Sequence, residues 1–415
     1  MEKSVELERV LGLKDAVGIG LGAIIGAGIF VVTGVAAGVS GPSFIVGLLI
    51  AGVIASFNAL SSAQLAAVYP QSGGTYEYGY QLLNPVLGFS AGWMFLISKL
   101  SAAGVVAIGF GSYFHQLVPL FSPIMYSVTA VILLIVANLA GIQKAGRLNL
   151  IIVSLTLLAL IYFIVAGIPE IRTHNFTPFA PFGIKGIAEA AALMFFAFTG
   201  YARIATLAEE VKSPEKTIPQ AVIITIISAI VLYILIAITA VGLIGSEAMA
   251  SVKSPLQAAA QHASMPGLSI IITIGAATAM LGVLLSQILG ISRMMFAMSR
   301  RKDLPGFLEK IHPRYKVPQT GILITGAVIL VLSVFGNFEF IVRSASFSIL
   351  LYYSITNLAA LQQPAHQQRF GKFIAIAGLM GCIAMSLSLP LKVIVTGLML
   401  WVIGFILRFV CKKAF

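Results

Sequence analysis

Apolar segments about as long as a bilayer is thick follow one another along this chain, and they constrain its fold more than any motif does. A helix needs roughly 20 apolar residues to cross the hydrocarbon core. Segments of that kind fall near 15–38, 43–68, 84–113, 121–141, 148–168, 183–208, 219–244, 267–299, 319–336, 340–361, 371–388 and 390–410, which predicts an all-α polytopic membrane protein with about twelve transmembrane helices. Of the 415 residues 59% are hydrophobic and 10% charged, whereas soluble domains carry about 25% charged residues. The first segment is too long for a signal-peptide core and follows the acidic stretch Glu2, Glu6 and Glu8, so it is expected to stay in the protein.

Lysine and arginine are retained on the cytoplasmic side of a membrane. With the N-terminus inside, 18 of the 26 fall in inner segments, among them Lys144, Arg147, Lys212, Lys216 and Arg300-Arg301-Lys302, and 3 in outer loops, Arg172, Lys185 and Lys253. A multi-pass plasma-membrane protein with both termini cytoplasmic is therefore expected. The net charge of +12 expresses this topology and gives no support to nucleic-acid binding. Cys382, Cys411 and the five scattered histidines lack disulfide or metal spacing, and no cofactor motif is present.

Two of the segments are interrupted. Gly22-Ala23-Ile24-Ile25-Gly26-Ala27-Gly28-Ile29-Phe30 lies inside the first, and glycine weakens a helix by about 1 kcal/mol against alanine. Phe195-Phe196-Ala197-Phe198-Thr199-Gly200-Tyr201 lies inside the sixth, with aromatics flanking small residues. Broken helices in matching places of two repeats point to a transporter's binding site. A half-helix starting near Gly28 offers N–H groups and a positive dipole end to a carboxylate, while carbonyls freed at Ile24, Phe196 and Thr199 can accept from an ammonium group. The competing reading of the first run is close helix packing, because Gly18, Gly22 and Gly26 are four residues apart. A dinucleotide fingerprint at Gly20-x-Gly22 is rejected, since no βαβ unit surrounds it.

These residues resemble the amino acid–polyamine–organocation (APC) permeases along nearly the whole chain. The run from Gly22 to Phe30 resembles the family's first-span signature. Tyr69-Pro70, Gly73-Gly74, Tyr76 and Gly88 to Trp93 are similar to its loop between spans 2 and 3. Phe195 to Gly200 followed by Glu209-Glu210, Lys212, Pro214, Lys216 and Pro219 is the most specific match, and Ser292-Arg293, Leu304-Pro305, His312-Pro313-Arg314 and Pro318 match the segment after span 8. The resemblance implies a LeuT-type fold of one transporter domain, with inverted five-helix repeats over about 15–168 and 183–361, two further helices over 371–410, and spans 1 and 6 unwound around an amino acid. It places the substrate at Ile24, Gly26, Ala27, Gly28, Phe196, Ala197, Thr199 and Gly200, with Phe196, Phe198 and Tyr201 as gating aromatics. Three coupling devices depart from relatives: Thr156 stands where many have a span 5 lysine, Leu281 and Gly282 where sodium-coupled proteins have hydroxyls, and Ala202 where some have an acid.

Charges within spans are functional candidates by default. Arg293, Arg343 and Arg203 lie close enough to span ends to snorkel or pair. Lys99 is 15 residues after Asn84 and 14 before Tyr113, about 21 Å from each along a helix. It is the candidate for the missing lysine's coupling role, the alternative being a structural lysine bonded to freed carbonyls or paired with Glu189. Asn58, Gln64 and Asn138 read as interhelical glue, Glu209-Glu210 with Lys212 and Lys216 as surface pairs or an inner gate, and Trp93 and Tyr76 as interfacial or gating aromatics. The function expected is secondary transport of amino acids by alternating access, with proton symport, exchange and facilitated passage all open. A channel would need rings of carbonyls or charges along a pore, and an enzyme a nucleophile–base set or metal pair. Neither is visible.

Overall fold

A computed structural model describes residues 11–69, 73–141, 146–201, 204, 211–263, 265–312 and 314–413. The described residues are helical, with one isolated bridge between Leu11 and Val211 in place of any sheet. The helices are α1 (Leu13–Ile24), α2 (Thr33–Ser40), α3 (Phe44–Val68), α4 (Thr75–Tyr78), α5 (Pro85–Leu117), α6 (Pro123–Leu139), α7 (Gly146–Gly167), α8 (Gly183–Phe195), α9 (Pro214–Ala250), α10 (Pro255–Gln261), α11 (Leu268–Arg300), α12 (Gln319–Phe335), α13 (Phe338–Gln362), α14 (Lys372–Leu387) and α15 (Leu391–Lys413). Eight described stretches are long and apolar enough to cross a membrane, and α6, α12 and α14 are shorter apolar helices.

Local chemistry sets the helix starts. Asn84 caps α5, its side chain accepting from the Val86 and Leu87 amides at 3.0 and 2.9 Å with Pro85 in the first turn. Ser122 before Pro123 and Asn337 before Phe338 do the same for α6 and α13. The bounds of α3, α5, α11, α12, α14 and α15 follow the apolar segments closely. The seventh segment, expected over 219–244, is longer: α9 begins at Pro214 and runs to Ala250, with a non-helical residue at Gly245 (φ 76).

The helices α5 and α11 pack on each other. Around them, α13 packs on α5, α7 on α11, and α3 on α8 and α9. Large apolar side chains such as Leu133, Leu158, Val331 and Phe409 are exposed on the outer helices, the surface that lipid covers in a membrane protein.

Candidate functional site

The helix α1 ends at Ile24, and Ile25 is extended (φ −77, ψ 106). A π-helical turn then runs over Gly28–Val32 before α2, with the Ile29 and Phe30 amides both donating to the Gly26 carbonyl at 3.2 and 3.3 Å. The helix α8 gives way at Phe196 to a 3-10 turn, Phe196–Tyr201, in which the Thr199 hydroxyl donates to the Phe196 carbonyl at 3.0 Å. The amides at the start of the second half-helix, around Ala27 and Gly28, are positions for which a helix supplies no acceptor of its own.

The two breaks meet backbone to backbone. A Cβ added at Gly28 would lie 2.4 Å from Ala197 Cα, and one added at Gly200 would lie 2.1 Å from the Ala23 carbonyl oxygen. Only a hydrogen fits at either place. Gly26 faces α11, where an added Cβ would lie 3.1 Å from Val283. Ala27, Ala197 and Phe196 are buried and Thr199 and Gly200 half-buried. No residue from Ile24 to Gly28 or from Phe196 to Gly200 carries a charge. The other aromatics are packed into neighbours: Phe198 lies 5.4 Å from the Tyr233 ring of α9, and Tyr201 5.3 Å from the Tyr353 ring of α13.

Sequence reasoning missed Tyr233. Its hydroxyl donates to the Ile24 carbonyl at 2.9 Å and lies 3.4 Å from the Ala197 carbonyl, so one phenol bridges both breaks. The Ile24 carbonyl is therefore already a partner rather than fully free, with its second lone pair left. A single tyrosine in the aliphatic run of α9 was the only signal.

Of the coupling candidates, Thr156 is buried and its hydroxyl donates to Ile152 O at 2.8 Å, with Gly275 O of α11 at 3.4 Å. A Cβ at Gly282 would meet nothing within 4 Å. Lys99 lies with its ammonium 5.8 Å from the Phe95 ring centre. Glu189, considered as a partner for it, is bound by Arg343 at 2.9 Å, and Arg343 also reaches Glu339 at 2.8 Å. Arg343 is thus tied to two acids rather than merely snorkelling. Ala202, Arg203, Glu209 and Glu210 lie outside the described residues.

The buried amides do join helices. Asn58 donates to Cys382 Sγ at 3.2 Å and accepts from Asn357 at 2.5 Å, and Gln64 accepts from the Phe370 amide at 3.2 Å. Asn138 reaches the Leu134 carbonyl at 2.8 Å, with that of Leu285 at 3.5 Å. Tyr76 is fully buried in the protein and donates to Asp303 at 2.8 Å. Trp93 is half-buried and donates to the Leu400 carbonyl at 2.8 Å.

Many apolar helices, two of them broken against each other at an uncharged centre, define a polytopic membrane protein. Residues 15–410 match the amino acid permease family, and the chain belongs to it. It is 39% identical to an uncharacterized transporter of Mycobacterium tuberculosis over 94% of this chain and 89% of the relative. It is 30% identical to a branched-chain amino acid permease of Bacillus subtilis over 99% of this chain and 94% of that protein. A methylthioribose transporter of the same organism is also 30% identical, over 86% of this chain and 82% of its own length. The protein is thus a multi-pass membrane transporter of the amino acid permease family.

Proposed function

We propose that the protein is a secondary carrier of neutral, apolar amino acids in the plasma membrane, with both termini cytoplasmic, working by alternating access around the two breaks. The observation that carries this reading is the contact of Gly28 with Ala197 and of Gly200 with Ala23. It brings N–H groups of one broken helix and carbonyls of the other to one place, which suits a solute that bears its own carboxylate and ammonium. The carboxylate would sit on the Ala27 and Gly28 amides. The ammonium would take the carbonyls of Phe196 and Thr199 and share that of Ile24 with Tyr233. Gly26, Ala197 and Gly200 let the backbones close on the solute, and Phe196, with Phe198 and Tyr201 behind it, closes over its side chain.

The packing supports one transporter domain of LeuT type built from two inverted repeats. Exchange of α1/α2, α3, α5, α6 and α7 with α8 and its 3-10 turn, α9, α11, α12 and α13 carries α1–α9 onto α3–α8, α5–α13 onto α7–α11, α5–α6 onto α11–α12, and α1–α7 onto α8–α13. The pairs α5–α11, α3–α9 and α6–α12 map onto themselves. The stretch Leu13–Val68 has 56 residues, about 84 Å of helix against a core of about 30 Å. Its turn at Gly41–Ser43 makes it two crossings and favours twelve in all.

An uncharged site favours neutral substrates, and relatives from Bacillus subtilis and Lactococcus lactis, 30% and 29% identical, are branched-chain amino acid permeases. For coupling, Lys99 takes the part of the lysine replaced by Thr156. Exchange without an ion is the second reading, favoured by that replacement. In proteoliposomes, saturable uptake and counterflow of labelled L-isoleucine are expected, with thermal stabilisation of the purified protein by the same amino acid. Absence of binding and uptake for every amino acid would overturn the proposal.

A further inference from the structure

A buried charge cluster lies away from the candidate site, where the ends of α11 and α15 meet the loop that joins α3 to α5. Asp303, three residues beyond α11, is fully buried. Its Oδ2 accepts from the Tyr76 and Tyr80 hydroxyls at 2.8 and 2.6 Å, and its Oδ1 from Arg408 Nε of α15 at 2.8 Å. Arg408 also donates to the Tyr80 oxygen at 2.9 Å, and its guanidinium lies 4.9 Å from the Phe89 ring. Burial, and after it the neighbouring carboxylate, raises both phenols above their ordinary pKa and keeps them donors. At the rim Arg301 pairs with Glu77 and stacks 4.6 Å from the Tyr80 ring.

The same loop is fastened elsewhere. Thr75 shares a hydroxyl hydrogen bond of 2.7 Å with Thr356 of α13. The helix α15 is itself pinned to α5 by both tryptophans of the chain, Trp93 donating to the Leu400 carbonyl at 2.8 Å and Trp401 to Ser90 Oγ at 3.0 Å. From Thr75 onward the loop is therefore attached to α5, α11, α13 and α15. Immediately before it stand Gly73 and Gly74, with φ 131 and 55, a conformation side chains rarely adopt.

We infer that Asp303 and Arg408 are positioning residues for the transport cycle: they lock residues 75–83 onto α11 and α15, so that α3 moves against a fixed α5 about Gly73–Gly74. The last helix, outside the two repeats, thereby enters the cycle by supplying the countercharge that a fully buried carboxylate requires. A loop that gave way would let α3 move without driving closure of that side. The inference rests on the carrier reading for its effect on transport, but the clamp itself can be read without a substrate.

The test compares wild type with Arg408→Met, Asp303→Asn/Arg408→Met and Tyr80→Phe. Amide hydrogen exchange over 75–83 is expected to rise by on the order of tenfold in Arg408→Met, with exchange at 24–32 unchanged. The double variant should return toward wild type, because a neutral pair leaves no unpaired buried charge. Tyr80→Phe removes a hydroxyl and no charge, and should move exchange the same way by less, which keeps the test valid if Arg408→Met does not fold. In proteoliposomes the maximal L-isoleucine uptake rate of Arg408→Met should fall on the order of tenfold with KM within about twofold. Unchanged exchange at 75–83 in both single variants would overturn the clamp, and loosened exchange with an unchanged rate would overturn its part in the cycle. A wild type that neither binds nor carries any amino acid would fail the carrier reading, with the clamp still decided by exchange.

Discussion

At the scale of single residues, the site is made by what is missing as much as by what is present. The first break was legible because glycine is costly inside a helix, so a run of it in a membrane-length segment needs a reason. The structure supplies the reason at Gly28 and Gly200, where an added Cβ would strike backbone atoms at 2.4 and 2.1 Å. Breaking and packing, weighed as rivals in the sequence, occur here together: the helices break, and the breaks are packed against each other. Tyr233 was not legible, since nothing in a sequence reports that one hydroxyl reaches two carbonyls on different helices. Tyr233→Phe keeps the ring 5.4 Å from Phe198 and removes only the bridge. A net hydrogen bond contributes about 0.5–1.5 kcal/mol, so the variant should weaken L-isoleucine binding by about two- to tenfold. Equilibrium binding to purified protein would check this, and an unchanged Kd would remove Tyr233 from the site.

At the scale of helices, length and apolarity located most of the long helices to within a few residues, because an apolar helix of that length imposes both signals on the sequence. They did not reveal the π turns at 28–32 and 79–83, the short α10, or the irregular residue within α9, since each depends on tertiary partners. Charge partners were illegible for the same reason. Arg343 reaches Glu189 at 2.9 Å, a pair that the sequence reading did not include. Tyr76, read by residue type as interfacial or gating, is held by the buried carboxylate of Asp303. The amides did read correctly, as polar groups in lipid-length helices need one another. Asn58 joins α3 to α13 and α14, yet Asn357 also has the Tyr353 carbonyl at 3.0 Å and is not left without an acceptor. Asn58→Ala should therefore lower stability by only about 1 kcal/mol. Chemical unfolding in detergent would measure it, and a loss several times larger would mean that the junction acts as a network.

At the scale of the whole molecule, the proposed ion-coupled carrier needs two equivalent halves and one asymmetry that links solute movement to a driving ion. The proposed halves are suggested in sequence only by two breaks in matching places, and the helix pairs that exchange with one another add support that the sequence lacks, because contacts are not written in order along a chain. The asymmetry must lie where the halves differ. At Thr156 the ionisable group that relatives place on span 5 is replaced by a hydroxyl whose proton goes to Ile152 O, so this position has no charge to alternate. Lys99 sits instead on α5, which packs on both α11 and α13 and thus touches the second half along much of its length. An ammonium that gives up its proton on one side and regains it on the other would link that helix to the proton gradient. Lys99→Met keeps the length of the side chain and removes the titration. In proteoliposomes it should abolish the stimulation of L-isoleucine uptake by an imposed pH gradient while leaving counterflow within about twofold of wild type, since exchange requires the substrate site but no net proton movement. Uptake stimulated equally by the gradient in wild type and variant would rule Lys99 out as the coupling residue, whereas uptake indifferent to the gradient in both would leave ion-independent exchange as the reading that fits an uncharged centre and the hydroxyl at Thr156.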